Sequence, residues 1–295
     1  MPPGLLRTVA LVAAMLLGVL LPQAQAATFA VRWLIMGMLF LVFLETRLSR
    51  EAIQRSHLVL LAANLAMGFA AWGAGWLAGG REVALAAFFA GITPTAAAAP
   101  VVTSFLRGRV DYVAAAFLLT NVAVSALAPG LLPLVLGHAT PEACVQVLGT
   151  VALVVFGPIG AAWLLRTRFP GAAAWPRPLR NVSFGMWVLA LFLITANASA
   201  FLRQHPEFPR GVLGEIAGTT LAVCAANFAL GRLIGGRRFP REASQALGQK
   251  NTSLTIYLAL VYANPLVALG PTTYIIWHNL WNSWQLHRGH REHPA

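Results

Sequence analysis

The chain has 295 residues, of which 58% are apolar and only 10% are charged, and its mean hydropathy is +0.69. Soluble domains carry roughly 25% charged residues, so this composition excludes a soluble globular protein and indicates a chain surrounded by lipid. The net charge of +12 sits in short clusters between long apolar runs. That placement is typical of membrane-protein loops and argues against nucleic-acid binding.

Ten apolar segments are long enough to cross a membrane, which takes about 20 mostly apolar residues. In chain order the predicted spans are 7–25, 29–45, 57–78, 83–105, 112–136, 143–165, 182–202, 211–234, 244–263 and 267–286. The sequence therefore predicts an all-α polytopic membrane protein with ten transmembrane helices. Because the connections are mostly short, residues 1–295 are expected to form a single membrane domain.

The positions of the basic residues test this topology, because cytoplasmic loops are enriched in Lys and Arg. With a cytoplasmic N-terminus, sixteen of the 21 basic residues fall in cytoplasmic segments, four fall outside, and Lys250 lies inside a span. We expect a multi-pass protein of the plasma (inner) membrane with both termini cytoplasmic. Residues 1–26 keep one alternative open: Arg7, the apolar run after it and the small residues 24–27 are also typical of a cleaved signal peptide. Cleavage would leave nine spans.

The longest connection, residues 166–181, contains three prolines and four arginines and is predicted to be an irregular cytoplasmic linker. Five spans precede it and five follow it. Residues 1–165 and 182–286 would therefore have opposite orientations in the membrane, and residues 287–295 would form a cytoplasmic tail. Two inverted five-helix repeats are an arrangement of many secondary transporters.

The fourth and ninth spans hold corresponding positions in the two repeats, and both are predicted to be discontinuous. Gly91, Pro94 and Pro100 interrupt the fourth span, since each proline removes a backbone hydrogen bond; an ordinary proline kink is the alternative. The ninth span has six consecutive polar or glycine residues, 248–253, at its centre, which do not suit a position facing lipid. Paired interruptions predict a transporter binding site at mid-depth, where exposed helix N-termini attract anions.

Lys250 is the only lysine and lies inside the ninth span, where a charged lysine costs about 2.5–3.5 kcal/mol. Snorkelling toward the membrane surface is one alternative; otherwise the side chain faces the interior of the bundle. All nine acidic residues lie at span ends or in loops, so we expect neutral oxygens or the substrate to hold Lys250. A buried lysine is a candidate proton site or anion-binding charge.

Two regions carry recognisable motifs. Residues 91–111 read GITPTAAAAPVVTSFLRGRVD, residues 125–137 read SALAPGLLPLVLG, and residues 246–279 contain ALGQKNTSLTIYLALVYANP and IIWHN. These stretches resemble the bile acid:sodium symporter family of ten-helix secondary transporters. The resemblance implies a core domain from helices 3–5 and 8–10, in which helices 4 and 9 cross. It also implies a panel domain from helices 1, 2, 6 and 7, with substrate bound between the two domains and sodium behind the crossing.

The motifs and the predicted breaks together give a candidate site. The candidate substrate and ion-crossing residues are Lys250, Gln249, Asn251, Thr252, Ser253, Thr93, Thr95, Asn64, Asn121, His278 and Asn279. Four polar residues, one of them already in this list, either line the crevice or form hydrogen bonds between helices. They are Thr120, Asn121, Asn197 and Asn227.

The sodium ligands that the resemblance implies are replaced in this chain. The ninth-helix glutamate falls on Ala246, a glutamine ligand falls on Lys250, and a third-helix glutamine corresponds to Asn64. The other ligand positions carry apolar residues, namely Ala99, Pro100, Val113 and Phe117. Sodium needs several oxygen ligands, so we expect sodium binding to be lost, no metal or other cofactor to be bound, and the Lys250 ammonium to replace the cation. A proton remains a candidate coupling ion.

The sequence thus predicts a sodium-independent secondary active transporter, symporter-like in ancestry, that moves a small organic anion by alternating access. Its expected partners are that anion and the lipid bilayer, and the chain acts as a monomer or an oligomer. One alternative is a non-transporting membrane receptor or sensor on the same scaffold. The other is a membrane enzyme, which is disfavoured because no His, Asp and Glu cluster has metal or acid–base spacing.

Overall fold

The computed structural model describes residues 3–45, 53–137, 140–176, 178–204, 206, 208 and 211–292, and within these ranges it contains helices and no strand. The α-helices of this part are α1 (Pro3–Leu20), α2 (Ala30–Glu45), α3 (Arg55–Ile92), α4 (Ala99–Phe105), α5 (Val110–Leu136), α6 (Pro141–Val151), α7 (Gly157–Arg168), α8 (Arg180–Gln204), α9 (Val212–Gly235), α10 (Pro240–Gly248), α11 (Thr252–Tyr262) and α12 (Pro265–Glu292). A π-helical turn, Ala152–Phe156, makes α6 and α7 continuous. In the predicted linker, Pro170–Ala174 forms a short 3-10 helix.

Among the residues that the structure describes, five helical segments are long and apolar enough to cross a membrane. They are α3, α5, the continuous segment Pro141–Arg168, Val182–Gln204 of α8, and α9. Large apolar side chains also lie on the outside of the protein; Leu77 is 93% exposed, and Phe29 and Leu233 are nearly as open. Many such side chains on one exterior require an apolar solvent. The chain is therefore an all-helical membrane protein.

The long helix α3 folds back on itself. Gly79 and Gly80 leave helical geometry, and Gly80 has a φ of 77°, which glycine adopts without steric cost. A Cβ atom on Gly75 would meet the backbone of Ala84, so the residues before and after the bend lie side by side. The bend falls between the predicted spans 57–78 and 83–105, so α3 contains one whole predicted span and the first half of the next.

The chain leaves helical geometry within both segments for which the sequence predicts an interruption. Residues 93–98 separate α3 from α4, and residues 249–251 separate α10 from α11. Two details of the prediction are wrong: Gly91 lies inside α3, and Pro100 is the second residue of α4. A proline in the first turn of a helix removes no hydrogen bond. Of the three residues expected to break the helix, only Pro94 lies in the break.

The helices pack mainly in two groups. In the first group, α9 contacts α3, α10 and α12, while α5 contacts α3, α4 and α10. In the second group, α8 contacts α1 and α2, and α2 also contacts α7. The second group also includes α6, which is continuous with α7. Contacts of α5 with α6, of α8 and α1 with α12, and of α2 with α11 join the two groups. The breaks at residues 93–98 and 249–251 both belong to the first group.

Candidate functional site

The two non-helical breaks meet through their backbones. Thr95 and Lys250 form an isolated antiparallel bridge. The amide of Ala96 donates to the carbonyl of Gln249 at 2.9 Å, and the amide of Asn251 donates to the carbonyl of Pro94 at 2.7 Å. Each unpaired backbone group in a membrane interior costs several kcal/mol. Each break therefore provides hydrogen-bond partners for backbone groups of the other. We refer to this meeting point, residues 93–98 with 249–251, as the crossing.

The side chain of Lys250 is enclosed at the crossing and is only 2% exposed. Its Nζ donates to Oδ1 of Asn64 and, at 3.2 Å, to the carbonyl oxygen of Gly91. In turn, Nδ2 of Asn64 donates to the carbonyl of Ile92 at 2.8 Å. Among the described residues, no carboxylate forms an ion pair with Lys250. This burial contradicts the snorkelling alternative, and the ammonium contacts two neutral oxygens.

Side chains of α5 hold the crossing from one side. The hydroxyl of Thr95 donates to the carbonyl of Ala246 at 2.6 Å, and the hydroxyl of Thr120 lies 3.0 Å from that of Thr95. The amide nitrogen of Asn121 donates to the carbonyl of Thr95 at 2.9 Å, while its oxygen accepts a 2.8 Å bond from Nδ2 of Asn251. Thr120 and Asn121 thus join helices at the crossing. Their hydrogen bonds connect α5 to both breaks.

The remaining hydroxyl residues of the candidate site lie where the breaks join α3 and α11. Oγ1 of Thr93 lies 2.7 Å from Oγ1 of Thr255, a residue that was not predicted to belong to the site. Thr252 is buried at the start of α11, and Ser253 is half-buried beside it. The first turn of α11 therefore packs against the end of α3 through hydroxyl groups.

A chain of three glutamines runs from the crossing toward the end of α12. Nε2 of Gln249 donates to Oε1 of Gln245, one turn earlier in α10. Nε2 of Gln245 donates to Oε1 of Gln285 in α12 at 2.5 Å. Gln245 and Gln285 were not predicted as site residues. The four-residue spacing of Gln245 and Gln249 was the available signal, because it places both on one face of a helix.

Two predicted site residues in α12 do not reach the crossing. Nδ2 of Asn279 donates to the carbonyl of Ile275 in its own helix at 2.8 Å. The ring of buried His278 packs 5.7 Å from that of Tyr274. Tyr274, which was not predicted, makes the contact instead, because its hydroxyl donates to the carbonyl of Gly248 at 2.8 Å. Asn227 donates to the same hydroxyl at 3.2 Å and so joins helices.

Apart from Lys250 and Asn64, the positions that the family resemblance assigns to sodium ligands carry apolar side chains. Ala246, Ala99 and Val113 belong to one buried cluster. Phe117 lies in the larger core, where its ring stacks on that of Phe43 at 5.7 Å. Pro100 is half-buried in the first turn of α4. At these positions the protein presents methyl groups and a phenyl ring, none of which can bind a cation through oxygen.

The crossing therefore combines one buried cation with neutral hydrogen-bonding groups from five helices. No protein-family model matches the chain, and no curated protein matches it. A buried lysine with no carboxylate partner among the described residues is complementary to an anion in its protonated form. The geometry offers positive charge and hydrogen-bond donors at the point where two membrane segments are unwound.

Proposed function

We propose that the chain is a secondary active transporter that moves a small organic anion across the membrane by alternating access. The observation that carries the proposal is the burial of Lys250 at the crossing of two unwound segments. Unwound backbone at membrane depth is tolerated where protein or a water-filled cavity satisfies it, and in transporters such segments form the substrate site. A buried charge seldom improves stability over an apolar side chain, which favours a functional reason for Lys250.

The proposed fold has ten spans arranged as two inverted repeats, residues 1–165 and 182–286. In this arrangement α3 supplies the third span and half of the fourth, and α10 with α11 supplies the ninth. The packing of the helices into two groups supports a core that moves against a panel, as the likeness to bile acid:sodium symporters implies. Both termini are proposed to face the cytoplasm.

The ammonium of Lys250 is proposed to replace the coupling cation. It bonds to Asn64 and to the carbonyl of Gly91 beside the first break, while its own backbone belongs to the second break. A tethered charge of this kind joins the two breaks without a bound ion. Transport is therefore proposed to be independent of sodium, with a proton on Lys250 as the candidate coupling ion.

Uptake by proteoliposomes tests this function. The purified chain is reconstituted, a panel of radiolabelled carboxylates is offered, and sodium is replaced by choline at several pH values. We expect at least one carboxylate to accumulate equally well in sodium and in choline. Strict dependence on sodium would overturn the proposed coupling, and the absence of uptake for every anion would count against transport itself.

A pair of substitutions tests the replacement of the cation. We expect Lys250→Gln to abolish uptake, because the fixed charge is lost. Adding Ala246→Glu places a carboxylate one turn before the new glutamine, and we expect sodium to raise the melting temperature of this double variant only. Lys250→Gln with Ala243→Glu is the matched control, since Ala243 is equally buried on the same helix. A sodium effect of equal size in the control would contradict the proposed correspondence of Ala246 to a sodium ligand.

One observation favours a second candidate, a membrane receptor or sensor. The side chains of Lys250, Thr95, Asn121 and Asn251 are all hydrogen-bonded within the protein. A satisfied network of this kind also suits a static site that binds a ligand without moving it. Saturable binding of a carboxylate to the purified chain, combined with no flux in the same liposomes, would favour the receptor.

A further inference from the structure

Six exposed arginines lie on the stretches of the chain that meet beside one buried aromatic pair, at the end of the protein where α3 begins and α9 ends. The pair is Tyr112 and Phe239, whose rings stack with centroids 4.6 Å apart. The arginines come from the start of α3, the turn between α4 and α5, and the loop between α9 and α10 together with the first turn of α10. They are Arg55, Arg107, Arg109, Arg237, Arg238 and Arg241, and we refer to them as the arginine cluster.

Direct contacts bring the three stretches together. The guanidinium carbons of Arg109 and Arg238 lie 5.6 Å and 5.0 Å from the ring centroid of Phe239, within the range of cation–π attraction. Nη1 of Arg241 donates to the carbonyl of Leu106 at 3.3 Å. Next to Arg55, the hydroxyl of Ser56 lies 2.8 Å from that of Tyr112. Arg109, Arg238 and Arg241 are thus attached to a packed support, and the other three arginines lie on the same stretches of the chain.

The carboxylates of this region leave most of the positive charge uncompensated. Glu242 is only 8% exposed, and its Oε1 accepts a 2.8 Å bond from the backbone amide of Arg109, which fixes the turn before α5. Asp111 forms a 2.7 Å ion pair with Arg109. The hydrogen bond and charge of Asp111 raise the pKa of Arg109, so that side chain stays charged. Against six arginines, these two described carboxylates leave four positive charges in excess.

Apolar side chains adjoin the arginine cluster on the outside of the protein. Leu58 lies one turn after Arg55, Val110 follows Arg109, and Leu233 occupies the last turn of α9; all three are exposed. Such side chains lie beside acyl chains in a membrane protein. The charged surface is therefore continuous with the surface that faces lipid, which favours a lipid over a soluble anion.

We propose that the arginine cluster binds the phosphate-bearing headgroup of an anionic membrane lipid. Guanidinium groups bind phosphate oxygens through paired, charge-assisted hydrogen bonds, and basic surfaces between membrane helices bind anionic headgroups. The acyl chains of the bound lipid lie along Leu58, Val110 and Leu233. This binding does not depend on transport, because the arginine cluster lies outside the crossing.

Lipid retention in nanodiscs tests the proposal. The chain is placed in discs of phosphatidylcholine with a small fraction of phosphatidylglycerol, and bound lipid is counted by native mass spectrometry. We expect Arg238→Gln with Arg241→Gln to weaken phosphatidylglycerol binding about 30-fold, which is about 2 kcal/mol at roughly 1 kcal/mol per surface arginine. The control, Arg166→Gln with Arg168→Gln, removes the same charge from the end of α7. An equal loss in the control would overturn the proposal in favour of general surface attraction.

Two further measurements distinguish a bound lipid from a small-anion site and from misfolding of the variants. Inorganic phosphate is added to the wild-type discs; we expect no displacement of phosphatidylglycerol, and displacement at millimolar phosphate would show a small-anion site and overturn the lipid proposal. Melting temperatures in pure phosphatidylcholine discs report whether the variants fold. If the glutamine pair does not fold, Arg238→Lys with Arg241→Lys replaces it. That pair keeps the charge and loses the paired geometry, so we expect weaker binding, and undiminished binding would contradict the proposal.

Discussion

The amide of Asn64 connects Lys250 to the end of α3, and both ends of the amide are in use. Its oxygen accepts from the ammonium, and its nitrogen donates to the carbonyl of Ile92. A neutral amide supplies an acceptor and donors without adding charge. Asn64 therefore positions Lys250 without neutralising it, which keeps the charge available to the proposed anion.

Two substitutions of Asn64 test the charge of Lys250 and the stability of its surroundings separately. In Asn64→Asp a carboxylate faces the ammonium and neutralises it, so we expect anion binding to fall at least tenfold while the protein still folds. In Asn64→Leu the carbonyl of Ile92 and the ammonium both lose a partner, and we expect a loss of about 1–3 kcal/mol in stability. Ligand affinity and melting temperature are measured together. Asn197→Asp in α8 is the control, and undiminished anion binding by Asn64→Asp would contradict the role of Lys250.

At the scale of helices, α10 lies unusually close to α9. A Cβ atom on Gly231 would meet the carbonyl oxygen of Ala243, and one on Gly248 would meet the ring of Phe228. Small residues allow such close approach between membrane helices. This contact fixes the end of α10, whose last carbonyl accepts the hydroxyl of Tyr274. The position of the second break therefore depends on glycine at 248.

We expect Gly248→Ala to lower stability by about 1–3 kcal/mol, because the added methyl group overpacks the contact with Phe228. Adding Phe228→Leu should restore part of the loss by making room. The comparison is Gly218→Ala on the open side of α9, where a Cβ meets nothing within 4 Å and alanine favours the helix. Thermal unfolding in one detergent measures the stability of all three variants. If Gly248→Ala and Gly218→Ala melted alike, the close contact would not limit stability.

Local composition was sufficient to predict the helical membrane fold and the approximate positions of both breaks. Apolar runs identify α5 and α9, and the run of polar residues after Gly248 identifies the second break. The prediction of the first break was less exact, because a proline in the first turn of a helix looks the same in sequence as one that ends a helix. Pro100 is of the former kind and Pro94 of the latter.

The candidate site could be predicted only where its residues are close in sequence. Gln249, Lys250 and Asn251 stand out because polar groups are costly in an apolar segment. Thr255 and Tyr274 reach the crossing through the packing of α11 and α12, and neither is unusual for a membrane helix. Asn64 entered the prediction through the motif resemblance alone. Tertiary contacts of this kind leave no local pattern to detect.

At the scale of the molecule, a hydrogen-bonded contact connects α11 of the first helix group to α6, which is continuous with α7 of the second group. The hydroxyl of Tyr262, at the end of α11, is hydrogen-bonded to Oγ1 of Thr150 and donates to the carbonyl of Gln146 at 2.8 Å; both partners lie in α6. If the groups move against each other during transport, this contact must break. A contact between two helices of the same group can stay intact during that movement.

Chemical cross-linking tests that movement. In a background without Cys144 and Cys224, Thr150→Cys with Tyr262→Cys is joined by a short bis-methanethiosulfonate reagent. We expect uptake to stop on cross-linking and to return on reduction. Thr220→Cys with Thr273→Cys, whose native hydroxyls lie 2.9 Å apart within the first group, should transport in both states. Full uptake by the cross-linked Thr150 and Tyr262 pair would contradict a rocking motion of the groups.

The bonds from Ala96 to Gln249 and from Asn251 to Pro94 join backbone atoms, not side chains. Apart from a change to proline at 96 or 251, no substitution removes a backbone donor or acceptor. The side chains around the crossing can therefore be exchanged while these backbone hydrogen bonds stay intact. Single mutations can therefore change the chemistry of the site while the scaffold persists, and a single lysine at the crossing is compatible with that scaffold.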